Sequence, residues 1–131
     1  MILMILLLGT GCASLWDAPA NILGFSRRDI QEARKDATYQ MYAAERGDVY
    51  AAVLEVATEA KYDIFLQDEV RGVVVVMGIP GLVNTTEVGI FLSSARNSPG
   101  VKVEIASRST PAQRAVGQVL FSALREKFSQ P

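Results

Sequence analysis

From Val101 to Ala106 the chain alternates, with Val101, Val103 and Ile105 on one side and Lys102, Glu104 and Ala106 on the other. A period of two marks a strand with one face on a core. Tyr62, Ile64 and Leu66 alternate in the same way against Asp63, Phe65 and Gln67. Val73 to Met77 is apolar on both faces, as in a central strand, and Val88, Ile90 and Leu92 share a face. Ahead of these, Ala37 to Ala43 carries Thr38, Tyr39 and Tyr42 and suits a strand. Two stretches follow a helical period instead. Val49, Ala52, Val53, Val56, Ala57 and Ala60 form one stripe, with Asp48 placed to cap it and an end expected near Lys61. Val116, Val119, Leu120, Ala123, Leu124 and Phe128 form a second. Thr110 suits its N-cap, Pro111 its first helical position, and Gln113 can reach back in a capping box.

The predicted order is therefore β-α-β-β-β-β-α, an α+β fold without internal repeat. Short turns at Gly72 and at "RNSPG" (residues 96–100) imply a mostly antiparallel sheet of four to five strands. Each helix has a single apolar stripe, so both are expected on the same sheet face. One connection departs from the usual polar turn. "GIPGLVNTT", Gly78 to Thr86, is long for a hairpin and apolar at Ile79, Leu82 and Val83. Two readings fit: a contact loop for a protein partner or lipid surface, or a loop folded back over the sheet edge or core.

Composition narrows the chemistry. Half of the 131 residues are hydrophobic and 21% are charged, which suits one globular domain plus an appendage. The 13 basic and 14 acidic residues leave a net charge of -1, with no basic excess for nucleic acid. No histidine is present, which removes the commonest general base and metal ligand. A single cysteine allows no internal disulfide and no cysteine-based zinc site. No Ser, Thr or Cys has a histidine to activate it, "GIPG" lacks the residues of a phosphate loop, and Asp68 and Glu69 point to opposite faces of a strand. The sequence thus predicts no catalytic site, cofactor or metal.

The cysteine itself lies in "LLLGTGCAS". The apolar run Met1 to Leu8 is too short to span a bilayer, which takes about 20 residues, but fits the core of a secretory signal. Gly9, Thr10 and Gly11 are small, and Cys12 follows at once. A terminal strand with a core thiol is the competing reading; a reactive Cys12 has no histidine and no nearby charge to activate it. The stretch resembles the lipobox of bacterial lipoproteins. That resemblance implies cleavage before Cys12 and lipid attachment to it, with residues 1–11 as signal peptide. Gly9 stands where the family usually has a large aliphatic residue. Nothing charged precedes Cys12, so the true start is expected upstream. Ala13 and Ser14, rather than Asp, imply the outer membrane by the same analogy.

Residues 12–36 read as a tether, with Trp16 suited to a lipid interface. Ser26 and Asp29 fit a helix start, and the charged stretch to Asp36 reads as a short surface helix. Arg27 and Arg28 there either meet anionic headgroups or simply face water. Residues 37–131 form the domain. "GFSRRDIQEARKDA", "NTTEVGIFL" and "VKVEIASRSTPAQRAVGQVLFSALREK" resemble a family of small diderm lipoproteins, over Gly24 to Lys127. Those motifs are structural and speak to fold and location. The element order is also similar to the small domains of outer-membrane-assembly lipoprotein C, in architecture alone. The resemblance implies a non-enzymatic envelope lipoprotein, membrane-held through its lipid, whose periplasmic domain binds or supports another envelope component. The alternative is a small-ligand or lipid-binding domain that uses a groove between helices and sheet.

Overall fold

A computed structural model of the chain describes residues 32–94 and 100–128. Five strands form where the two-residue period predicts them: β1 (Thr38–Tyr42), β2 (Asp63–Asp68), β3 (Val73–Met77), β4 (Val88–Ser94) and β5 (Val101–Ala106). Two helices, α1 (Arg46–Glu59) and α2 (Thr110–Lys127), occupy the predicted places in the order, and residues 32–35 are also helical. The strands make one antiparallel sheet in the order β1-β5-β4-β3-β2. β2 to β5 form a meander, and β1 closes against β5, pairing Thr38 with Ile105 and Tyr42 with Val101. The fold is α+β, as expected.

Both helices lie on one face of this sheet. Val49, Val53 and Val56 of α1 and Val116, Leu120 and Leu124 of α2 share a core with the alternate residues of β3, β4 and β5. Val74, Val76, Val88, Val101, Val103 and Ile105 there are fully buried. The opposite face is partly covered by the helical residues 32–35. Arg34 stacks its guanidinium 4.6 Å above the Phe91 ring and donates to Glu104 Oε1 at 3.0 Å. Lys102 lies 4.5 Å above the Tyr39 ring.

Three local expectations are corrected. In β2 the register shifts between Ile64, opposite Val76, and Leu66, opposite Val75. This bulge absorbs Phe65, which is left 48% exposed, and turns Leu66 over. Tyr62 and Ile64 thus join the main core, whereas Leu66 packs with Val73 and Val75 in a small second cluster. Asp48 does not cap α1. The helix starts at Arg46 behind Glu45, whose side chain makes no cap bond. Arg46 is tied down from outside, donating to the Val70 carbonyl at 3.1 Å, and Asp48 falls in the first turn, where a negative charge favours the helix dipole. In α2 the cap is Ser109, whose Oγ accepts from the Ala112 N–H at 3.3 Å; Thr110 is the first helical residue. Gln113 therefore lies one position too far for a capping box. Its Oε1 accepts from the Ser107 N–H at 3.2 Å, and its Nε2 donates to Asp36 O at 2.7 Å and Thr38 Oγ1 at 2.9 Å. One side chain so clips α2 to the start of β1.

Candidate functional site

The readings placed on Cys12, on the tether up to residue 31 with Arg27 and Arg28, and on most of the "RNSPG" turn lie outside the described residues. The apolar loop lies within them. Ile79 is 2% exposed and belongs to the main core, and Leu82 is half-buried against it. The loop is closed by its own backbone: Gly78 N–H donates to Asn84 O, Leu82 N–H to Ile79 O, and Thr86 N–H to Val83 O. Of the three residues, Val83, 71% exposed, is the most open to solvent.

The carboxylates around β2 do not converge. Asp68 accepts from the Arg71 guanidinium at 2.9 Å and from the Arg71 backbone N–H at 3.1 Å. These bonds hold its carboxyl below the usual range, so it is an ionised clamp on the β2–β3 turn. Glu87, between the loop and β4, is the opposite case: burial pushes its carboxyl up. Among the described residues no group of three His, Cys, Asp or Glu is arranged to hold a metal ion. Among them, too, no helix is long and apolar enough to cross a membrane.

A groove of about 450 Å³ runs between β1 and α2. Thr38 and Gln40 form one wall. The other is a polar stripe of α2, where Arg114, Gln118, Ser122 and Arg125 recur at intervals of four, four and three residues on one helix face. Gly117 and Phe121 form the floor, both buried. The groove is anchored at one end by Gln113, bonded to Thr38. At the other, Arg125 acts on Tyr42: burial pushes the Tyr42 hydroxyl up and the Arg125 charge opposes it. β1 and α2 thus run in the same direction along its length. No carboxylate lines it, and neither Arg114 nor Arg125 forms an ion pair among the described residues. A second groove of about 390 Å³ lies behind Gln113, among Glu32, Asp36, Ser107 and Arg108.

The sequence carried a signal for this stripe, since four polar side chains at helical spacing can be counted. Such a stripe ordinarily means a solvated face. Only the pairing of β1 with β5, distant in sequence, places an edge strand beside it. The chain matches no protein-family model and no curated protein.

Proposed function

We propose that this chain is a lipid-anchored protein of a diderm cell envelope whose domain acts by recognition rather than catalysis. The observation that carries the anchor is the apolar run Met1 to Leu8, ending in Gly9, Thr10, Gly11 and Cys12. Cleavage before Cys12 and acylation of it would hold the domain on the periplasmic side. Each buried lipid methylene contributes about 0.8 kcal/mol, so two or more chains make the attachment stable. Ala13 and Ser14 favour the outer membrane. Recognition of another envelope component is supported by the groove between β1 and α2, which is open, polar-walled and bordered by two arginines that form no ion pair among the described residues.

Metabolic labelling with a clickable palmitate analogue, followed by membrane fractionation, tests the anchor. The native chain takes up label and sediments with membranes, whereas Cys12→Ser is unlabelled and uncut. A Cys12→Ser chain that is still processed and labelled overturns the proposal.

A further inference from the structure

On the sheet face away from α1 and α2, one side chain is buried more deeply than its described neighbours explain. Val75 is fully buried, yet it stands apart from the main core, and the apolar side chains packed on it in its own cluster are Leu66 and Val73. Both are neighbours within the sheet, Leu66 opposite on β2 and Val73 two residues back along β3. On the other side lies Gly89, its partner on β4. The Phe91 ring leans over that glycine, where a Cβ would fall 2.7 and 2.8 Å from ring carbons. Side chains stand upright on a sheet, so neighbours at this level shield the sides of Val75 and leave its top open. Full burial therefore requires a cover from above.

The direction of the chain supplies one. Traced backward from β1, residues 32–35 are helical and pass over β5 and β4, with Arg34 on Glu104 and on the Phe91 ring. The next strand in the sheet is β3. One more helical turn advances about 5.4 Å, and neighbouring strands lie about 4.8 Å apart, so that turn falls over Val75. Ile30 is four residues before Arg34 and three before Ala33, which is half-buried. On a continued helix it shares their sheet-facing side. It is also the only large aliphatic residue from Ser26 to Asp36.

We propose that the outer sheet face is the docking surface for this chain's own residues 26–31, which continue the helix of residues 32–35 and seat Ile30 on Val75 and Leu66. The last part of the tether is then a fixed arm of the domain rather than a leash. Resting on the anchor reading above, the free tether ends near Ser26 instead of Asp36. That takes about 35 Å from its extended reach and keeps the domain close to the membrane.

Maleimide labelling of Val75→Cys in the full chain in detergent tests this, with peptide mapping to separate the site from Cys12. Expected is slow labelling that becomes about tenfold faster when Ile30→Asp is added and stays slow with Ile30→Leu. Val53→Cys, at a buried position of the main core, should label slowly in every background, which separates loss of the cover from unfolding. Should Val75→Cys fail to fold, Leu66→Cys beside it gives the same readout. Equal labelling with and without Ile30→Asp overturns the proposal. So does fast labelling of Val75→Cys in the purified chain, the mark of a partner protein lost on purification. Labelling that slows as chain concentration rises, the mark of a second copy, also overturns it. Cys12→Ser should leave the labelling unchanged. Failure of palmitate labelling thus removes the anchor alone, and an open Val75 removes the cover alone.

Discussion

Replacing Gly117 with Ala adds one carbon to the floor of the groove, and its effect on stability is calculable. Gly117 lies seven residues from the start of α2 and ten from its end, well clear of both caps. Glycine in a helix interior costs about 1 kcal/mol relative to alanine. The added methyl would sit 3.7 and 3.8 Å from two Phe121 ring carbons, so repulsion does not offset that gain. Partial cover of the ring contributes some fraction of the ~0.8 kcal/mol of a fully buried methylene. The net expectation is a gain of about 1 kcal/mol. For a domain of this size it raises the melting temperature by roughly 4–8 °C. Scanning calorimetry of the full chain, with a guanidinium titration at constant slope, measures it. A melting temperature that stays level or drops would refute the reasoning, since it would mean that the position is crowded and the glycine serves the fold.

At Gly72 alanine has the opposite effect: φ is 68°, and a Cβ there overlaps the Leu92 carbonyl. Left-handed strain and displacement of β4 should together cost about 2–4 kcal/mol, read as a lower denaturant midpoint. In the loop, Ile79→Ser should cost about 3–5 kcal/mol because the side chain is in the core, whereas Val83→Ser should stay within about 0.5 kcal/mol; equal losses in the two thermal melts would contradict the placement. Asp68 is held below its ordinary pKa by Arg71, so its contribution is present at neutral pH and is lost as pH falls through that lowered value. Urea midpoints between pH 2 and 7 should show a shallower acid decline in Asp68→Asn than in the native chain. Glu87 is raised by burial, so its contribution is present in acid and lost as pH rises through its folded pKa. Glu87→Gln should therefore stabilise the chain slightly at neutral pH, with the gain vanishing in acid.

Much of the architecture was legible in the periodicities. β5 and β4 follow their alternation residue by residue, and Val116, Leu120 and Leu124 of the predicted α2 stripe reach the core, whereas Val119 of the same stripe is left 42% exposed. What escaped has a common cause. The bulge at Phe65 is imposed by how β2 meets β3, and no local pattern in "YDIFLQDE" signals it. α1 starts at Arg46, whose guanidinium reaches the Val70 carbonyl, a contact made across the fold. Gln113 has the composition of a capping residue and is used instead to join α2 to β1. Ile79 and Val83 are equally apolar in sequence, yet the closed loop sends one inward and the other outward. The groove escaped for the same reason: its polar wall is countable in the sequence of α2, whereas its meaning depends on which strand ends the sheet.

Mass spectrometry of the full chain recovered from membranes tests the central claim most directly, that Cys12 is the lipid attachment point. The predicted result is a chain that begins at Cys12, with everything before it removed and acyl chains attached to it. An unacylated Cys12 inside an uncut N-terminal segment would contradict it.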